Sequence, residues 1–286
     1  MNKPNQSNQA FKNPPITLMG MSGVGKTYNT LRLFEGKKCF HYSCDVEIGC
    51  VALQDEIVDS IRRDIMAQPG LRAYLESGAI KINNNITVEN LETLSAYVGK
   101  IGNPTQGRLG KTSHGGYSLE EFKRRQKEYY KAECDVLLDL ESQIKKAQKN
   151  NYEHFINDTT GSICEIEDED VLDFVAKHTT IVYIKATYEE EQEVIRRSIK
   201  YPKPLYYPKS RFDIWLDEYL ETNGLQSSEE MEPDEFSRWV FPRLFRERQP
   251  KYQRVADRYG VTISSDELKK AKTPTEFYAL IDNKKI

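Results

Sequence analysis

Residues 16–33, with the sequence ITLMGMSGVGKTYNTLRL, decide the fold class of this chain. Residues 16–19 are apolar and form a short buried-strand pattern, and apolar residues recur at helical spacing after residue 27. Between them, residues 20–27 (GMSGVGKT) match the pattern G-x-x-x-x-G-K-[ST] at every position. A strand, a glycine-rich loop and a helix in this order predict a phosphate-binding P-loop, the Walker A motif.

The P-loop predicts a site for ATP and Mg²⁺. Glycines let backbone N–H groups converge on phosphate oxygens, and the following helix adds the positive end of its dipole. Lys26 is predicted to reach the β- and γ-phosphates, and the hydroxyl of Thr27 to ligate Mg²⁺. The residues predicted to contact the nucleotide are Gly20, Ser22, Gly23, Val24, Gly25, Lys26, Thr27 and Tyr28.

The composition narrows the class of protein. The 286 residues carry a net charge of −3, so no overall basic field attracts nucleic acid. No apolar run reaches the ~18 residues that a membrane span needs. The polar N-terminus lacks the apolar segment of a signal peptide, and residues 1–14 are predicted to be a disordered tail. Five scattered cysteines indicate reduced thiols in a cytoplasmic protein.

Strand and helix patterns alternate along most of the chain. They predict a three-layer α/β P-loop NTPase domain over residues 15–286, with a parallel sheet covered on both faces. The further strands are predicted at 38–43, 154–158, 180–185 and 261–264. Helices are predicted at 48–66, 165–177, 188–200, 212–222, 234–246, from Pro250 to Gly260, and after Thr273, with which Glu276 completes a capping box.

The pattern changes between about residues 70 and 150, which predicts a helical insertion. One helix is predicted over 85–102, with Thr87 as its N-cap. A glycine-rich loop follows at 102–118, and then a long charged helix at 119–149.

Asp158 ends the short strand pattern HFIND and is predicted to be the carboxylate on the Mg²⁺ side of the site. The alternative is a turn residue that opens the loop 159–161. The sequence lacks the motifs of several P-loop classes. It has neither the Asn-Lys-x-Asp with which GTP-specific switches recognise guanine nor the LSGGQ of transporter-type ATPases. Asp158 is followed by Thr159, where ring ATPases have a glutamate that polarises water.

Three stretches follow the P-loop along the chain, and both their sequences and their order matter for the comparison below. They are HYSCDVEIG at 41–49, RRSIKYPKPLYY at 196–207 and RERQPKYQRVAD at 246–257, which is followed by the predicted strand VTIS. Together with the P-loop they resemble the shikimate kinase-like group of small-molecule kinases, over residues 15–66 and 152–265. The resemblance implies ATP-dependent transfer of the γ-phosphoryl group to a small molecule or a nucleotide.

The resemblance also implies roles by position. Asp45 falls on the aspartate that contacts the substrate hydroxyl, Arg248 on an arginine that binds a substrate carboxylate, and Lys203 where a lid carries an arginine over the phosphates. The family has a pair of aspartates on its second strand, and Ser43 occupies the position of the first one. The sequence DTTG at 158–161 lies near the position of the family's glycine loop but is not that loop. Both differences argue against shikimate itself as the substrate. The predicted catalytic residues are Lys26, Asp45, Asp158 and Lys203, and the predicted metal ligands are Thr27 and Asp158.

Two other functions stay open from the sequence. One is an ATPase that controls a protein partner through the 70–150 insertion. The other is a nucleic-acid end kinase, since the run FKRRQKEYYK at 122–131 combines basic residues with tyrosines. Such a run is also typical of a solvated helix face. Likewise, the basic residues at 196–203 form either a lid over the phosphates or the favourable C-terminal end of a helix.

Overall fold

The computed structural model describes residues 11–103 and 116–285, apart from the side chains of residues 92 and 93. These residues form seven β-strands and thirteen α-helices. The strands are β1 (Ile16–Met19), β2 (Cys39–Ser43), β3 (Lys100–Ile101), β4 (Gly116–Tyr117), β5 (His154–Asp158), β6 (Thr180–Lys185) and β7 (Gly260–Ser264). The helices are α1 (Lys26–Phe34), α2 (Cys44–Glu47), α3 (Gln54–Met66), α4 (Pro69–Glu76), α5 (Glu92–Val98), α6 (Leu119–Leu138), α7 (Leu140–Lys149), α8 (Glu169–His178), α9 (Tyr188–Lys200), α10 (Lys209–Asn223), α11 (Pro233–Tyr259), α12 (Ser265–Lys270) and α13 (Pro274–Asp282).

The chain divides into two compact units. The first comprises Met1–Cys44, Cys134–Arg196 and Leu244–Ile286, and the second comprises Asp45–Glu133 and Arg197–Arg243. The domain boundaries predicted from the sequence, a P-loop domain over 15–286 with an insertion at about 70–150, stay a prediction. Of the predicted tail, residues 1–10 lie outside the described residues, and the backbone N–H of Lys12 donates to the carbonyl of Glu153 (3.0 Å).

The first unit contains a five-stranded sheet in the order β2-β5-β1-β6-β7, and every neighbouring pair is parallel. β1 lies in the centre, with Ile16 paired to Ile156 of β5 and to Thr180 of β6. Parallel strands joined by helices are buried on both faces, and the predicted α/β class with a parallel sheet is confirmed.

Neighbouring residues of β5 show that side chains from helices cover both faces of this sheet. The ring of His154 packs against that of Tyr278 in α13, whereas the next residue, Phe155, faces the opposite side of the sheet. There it stacks on Tyr42 of β2, whose hydroxyl donates to the carbonyl of Val136 in α6 (2.9 Å). The helices therefore enclose the sheet in three layers, as predicted.

A chain of buried hydrogen bonds crosses the sheet from the end of β2 to α8. The thiol of Cys44 donates to Asn157 Oδ1 (3.1 Å), and Asn157 Nδ2 donates to Thr17 Oγ1 (3.0 Å). The hydroxyls of Thr17 and Thr179 are 2.7 Å apart, and Thr179 donates to the carbonyl of Val175 (2.9 Å). Because a hydroxyl has one proton, Thr17 must be the donor to Thr179. The bonds therefore all run in one direction across the sheet.

Replacing Asn157 with leucine is expected to lower the free energy of unfolding by about 2 kcal/mol, because Cys44 and Thr17 lose this amide partner inside the core. The control is Asn150→Leu at an exposed position, which should stay within about 0.5 kcal/mol of the wild type. Urea denaturation followed by circular dichroism measures both variants. Equal losses in the two variants would contradict a stabilising role for the hydrogen-bond chain.

The second unit has an aromatic core and a buried ion pair. The rings of Phe122, Phe212 and Phe236 are in contact, with centroid distances of 5.3 and 6.3 Å. Lys100 and Asp234 form an ion pair in which both side chains are almost fully buried. A buried pair of this kind needs both partners, since a single charge left in the core is strongly destabilising.

The predicted helix over 85–102 is wrong at its beginning. The N–H of Thr87 donates to Asn90 Oδ1 (2.6 Å), and the N–H of Glu89 donates to Thr87 Oγ1 (3.3 Å). Side chains of these types compete with helical hydrogen bonds and stabilise a turn. Helix α5 therefore begins only at Glu92. The predicted loop at 102–118 lies largely outside the described residues.

The two helices predicted at 234–246 and after Pro250 are one helix of 27 residues, α11. Proline removes its own N–H from the helix but does not end it where packing compensates. A stripe of buried residues at every fourth position continues past the prolines of this helix. Their packing explains why α11 is not interrupted there. The stripe consists of Phe236, Val240, Leu244, Arg248, Tyr252 and Ala256.

Some other elements follow the sequence patterns, whereas the helix predicted over 48–66 is α-helical only from Gln54, and α2, α4, α12, β3 and β4 were not predicted from the sequence. The long helix predicted over 119–149 is interrupted only at Asp139, between α6 and α7. Helix α8 begins at Glu169 rather than at residue 165, because the carboxylate of Asp168 accepts the N–H of Asp170 as an N-cap. Among the described residues, no helix combines the length and the apolar character that crossing a membrane requires.

Candidate nucleotide-binding site

The P-loop connects β1 to α1 through residues 20–25. Gly23 and Gly25 have φ angles of 91° and 89°, in the left-handed region that favours glycine. Gly25 also precedes the first turn of α1, so the loop ends at the positive end of the helix dipole. A Cβ atom on Gly20 would lie 2.9 Å from the carbonyl oxygen of Ile184, which leaves room only for glycine beside β6. The loop therefore has the backbone conformation that a phosphate cradle needs, and its contacts with a nucleotide stay a prediction.

Lys26 begins α1 and lies across the P-loop. Its side chain is 7% exposed, and Nζ donates to the carbonyl oxygen of Gly20 (2.9 Å). A carbonyl is a weaker partner for a buried ammonium than an anionic oxygen. A phosphate bound in the loop would therefore gain the charge of Lys26 at a short distance. Ser22, Gly23 and Tyr28 are exposed on the same loop and the first turn of α1, whereas Val24 is buried.

Asp158 lies beside the P-loop because β5 is the neighbour of β1. The hydroxyl of Thr27 donates to Asp158 Oδ2 at 2.5 Å, and the carboxylate is almost fully buried. His41 Nε2 of β2 lies 3.3 Å from the same oxygen. The structure thus brings together Thr27 and Asp158, the two residues predicted to ligate Mg²⁺, and their role as metal ligands stays a prediction. The chain is an α/β P-loop protein.

Arg248 lies in the same unit and contacts the loop after β5. Its side chain is buried, its Nε donates to Glu165 Oε1 (3.1 Å), and its Nη1 donates to the carbonyl oxygen of Gly161 (2.8 Å). Lys251 forms a second ion pair with Glu165. The role in binding a substrate carboxylate that the resemblance implies for Arg248 stays a prediction.

Comparison with known proteins gives structural similarity at low sequence identity. No protein-family model matches the chain, and no curated protein matches its sequence. Among solved structures, the chain is similar to a shikimate kinase from Bacteroides thetaiotaomicron, with 13% sequence identity and a TM-score of 0.36, over 94% of this chain and 95% of that one. Similarity at this level does not extend to a substrate or an activity.

The side chains of Thr27 and Asp158 fit a magnesium ion that binds together with a nucleotide. Mg²⁺ usually takes one or two carboxylates and completes its shell with phosphates and water. A buried carboxylate and a hydroxyl beside the P-loop supply such a donor set. Among the described residues, no group of three or more His, Cys, Asp or Glu side chains is placed to hold a metal. The donors therefore suit a metal carried by the phosphates rather than a metal held by protein alone.

The cysteines are free thiols, as predicted from their number and spacing. Burial raises the pKa of Cys39 and of Cys164 to about 12. Both therefore keep their protons at neutral pH and are poor nucleophiles.

Asp45 and Lys203 belong to the second unit. Asp45 is the second residue of α2, directly after β2, and is partly buried. Lys203 is exposed in the segment between α9 and α10. Beyond Lys203 this segment is fixed on α6 by the side chain of Gln126, which bonds the carbonyl of Leu205 (3.0 Å) and the N–H of Tyr207 (2.8 Å). The catalytic roles predicted for Asp45 and Lys203 stay predictions.

The sequence interpretation missed His41 as a site residue. Alternation along β2 places His41 and Ser43 on the same face, and Ser43 is paired with Asp158 across the sheet. The sequence therefore did contain a signal: His41 is a polar residue two positions before the end of β2, the strand that pairs with β5.

Replacing His41 with alanine is expected to raise the magnesium concentration needed for half-maximal activity by about tenfold, because a partner that orients a metal-binding carboxylate is lost. The matched control is His178→Ala, since His178 bonds the carbonyl of Phe174 away from the P-loop. Calorimetric titration of the ADP–protein mixture with Mg²⁺ gives a second measurement that does not depend on activity. The same Mg²⁺ affinity in both variants would remove His41 from the site.

Proposed function

We propose that this protein is an ATP-dependent kinase that transfers the γ-phosphoryl group to a small molecule or a nucleotide. One observation carries the proposal. Lys26 lies across a P-loop of the Walker A type, and the hydroxyl of the next residue, Thr27, bonds the buried carboxylate of Asp158. A phosphate cradle, a fixed positive charge and a pair of magnesium donors are thereby brought together in one unit.

Phosphoryl transfer asks the protein mainly for position and charge. The P-loop N–H groups hold the β-phosphate, and Lys26 balances the negative charge of the oxygens around the transferred group. Magnesium, when bound at Thr27 and Asp158, supplies further positive charge to these oxygens. His41 and Thr27 keep Oδ2 of Asp158 in place.

The loop after Asp158 supports transfer to an acceptor rather than hydrolysis. Where ring ATPases have a glutamate that polarises water, this chain has Thr159, whose hydroxyl donates to the carbonyl of Leu18 (2.7 Å). Glu165 is the next acid along the chain, and its carboxylate is bound by Arg248 and Lys251. Neither Thr159 nor Glu165 is free to activate water.

The acceptor side is proposed from the resemblance. Asp45 follows β2 directly, and the end of β2 is held by the bond between Cys44 and Asn157 (3.1 Å). A carboxylate at this point would accept the proton of the attacking hydroxyl or orient it by a hydrogen bond. Lys203 would add positive charge near the phosphates and help to exclude water.

The contacts of the basic run at 122–131, in the second unit, weaken the support for a nucleic-acid end kinase. Three cations of this run form ion pairs within this unit: Lys123 pairs with Asp213, and Arg124 and Arg125 both pair with Glu121. These acidic partners offset the positive charge of the run and weaken its attraction for a phosphate backbone. The run therefore forms part of the fold of this unit.

A partner-controlled ATPase is the second candidate, and it has one observation in its favour. Helix α4 has no buried residue, and three apolar side chains at or near it, Leu71, Tyr74 and Ile80, are about half exposed. Exposed apolar side chains that lie close together are typical of a protein-binding surface.

One experiment separates the two candidates. The protein is incubated with ATP labelled in the γ-phosphate and a fractionated metabolite extract, and both labelled organic products and free phosphate are counted. A kinase yields a labelled product that appears only with certain fractions and is absent in the Lys26→Ala variant. Release of free phosphate alone, at a rate that no fraction changes, would contradict the kinase and favour the ATPase.

A further inference from the structure

The loop that follows β5 touches the P-loop at Gly161. A Cβ atom on Gly161 would lie 2.9 Å from the backbone nitrogen of Ser22 and 3.1 Å from its Cβ atom, which is tighter than folded proteins normally allow. Ser22 is one of the residues whose backbone is predicted to contact the phosphates. The position of Gly161 therefore limits where the P-loop backbone can lie.

Two side chains of α11 hold the carbonyl oxygen of Gly161. Arg248 Nη1 donates to it at 2.8 Å, and the hydroxyl of Tyr252 donates at 2.6 Å. The two residues are four positions apart, so they lie on one face of the helix. The ring of Tyr252 stacks on Tyr183 of β6, with centroids 5.2 Å apart. Burial raises the pKa of Tyr252 well above its usual value, so the hydroxyl keeps the proton that it donates.

The charge of Arg248 is balanced inside the same cluster. Its side chain is 3% exposed and bonds Glu165, which also binds Lys251. A buried ion pair that loses one partner leaves an uncompensated charge, and this cost keeps the partners together. Arg248 is therefore held by the fold itself, without any contribution from a bound acceptor.

We propose that Arg248 and Tyr252 are positioning residues for the nucleotide, because they hold Gly161 against Ser22 and so keep the P-loop N–H groups directed at phosphate oxygens. The inference rests on the nucleotide site proposed above. Its ligand class is the nucleoside diphosphates and triphosphates, whose phosphates the loop would bind. It departs from the acceptor-binding role that the resemblance implies for Arg248, since a residue that binds only the acceptor would leave nucleotide affinity unchanged.

The test compares two variants that each remove one buried phenolic hydroxyl. Tyr252→Phe loses the bond to Gly161, whereas the hydroxyl removed by Tyr278→Phe has no hydrogen-bond partner within the described residues. The dissociation constant of ADP, measured by calorimetry, is expected to rise about fivefold in Tyr252→Phe, as for the loss of one hydrogen bond. It should stay at the wild-type value in Tyr278→Phe. Urea denaturation of both variants separates this effect from a general loss of stability.

Gly161→Ala provides a second variant, because the added methyl group must displace the loop from Ser22. A rise of about tenfold in the dissociation constant of ADP is expected. Wild-type ADP affinity in both Tyr252→Phe and Gly161→Ala would overturn the inference. Absence of ADP binding by the wild-type protein would instead overturn the nucleotide site itself.

Discussion

Replacing Lys26 with alanine is expected to lower the rate of ATP turnover by about a thousandfold, because the fixed positive charge beside the transferred phosphoryl group is lost. The side chain of Lys26 bonds the carbonyl of Gly20 across the loop, and no covalent step depends on it. Its removal should therefore weaken both the binding of ATP and the stabilisation of the transition state. Initial rates and calorimetric ATP affinity measure the two effects separately.

The control for this variant is Lys37→Ala, which removes an exposed lysine shortly after α1. It should keep wild-type rates, since a surface lysine at this distance contributes little to the site. Circular dichroism of both variants checks that they are folded. If Lys26→Ala bound and turned over ATP as the wild type does, the P-loop would have no role in nucleotide binding.

Asp158→Asn is expected to lower the rate by about a hundredfold, since the loss of an anionic magnesium donor costs several kcal/mol of charge stabilisation. Asparagine keeps the shape of the side chain and can still accept the hydroxyl of Thr27. The affinity for ATP should fall much less, because the P-loop N–H groups and Lys26 remain. Rates across a magnesium titration and ATP affinity at one magnesium concentration give the comparison.

Asp282→Asn serves as the matched control, because Asp282 is exposed and pairs only weakly with Lys285 at the end of α13. Wild-type rates of Asp158→Asn at every magnesium concentration would support the other interpretation of this residue. Asp158 would then be a residue that opens the turn at 159–161.

The P-loop and Asp158 could be predicted because their signals are local. The loop needs glycines at fixed offsets, and a short apolar strand that ends in a carboxylate is visible without knowing its neighbours. The structure adds the adjacency of β5 and β1, which brings Asp158 to 2.5 Å from the Thr27 hydroxyl. No local pattern encodes strand order. The contact between Thr27 and Asp158 could therefore be expected only because both were predicted to ligate the Mg²⁺ of a P-loop site.

The surroundings of His41 and Arg248 could not be predicted in the same way. His41 reaches Asp158 only because β2 is the other neighbour of β5. The sequence patterns place Arg248 between two predicted helices, one over 234–246 and one that begins at Pro250. Arg248 is instead part of a buried stripe that runs through Pro250 in α11, where Glu165 compensates its charge. Long-range ion pairs override local propensity, and a single sequence does not contain them.

The sequence distance between the strands of the sheet has a consequence for how the protein is made. β1 is synthesised early, yet its partner residues Ile156 and Thr180 follow much later, and the bond between Thr17 and Asn157 spans 140 residues. Pairing over such distances slows folding, and an unpaired strand edge is open to wrong partners meanwhile. Most of the chain must therefore leave the ribosome before β1 can be paired on both sides. We expect the newborn chain to depend on chaperone protection during that interval.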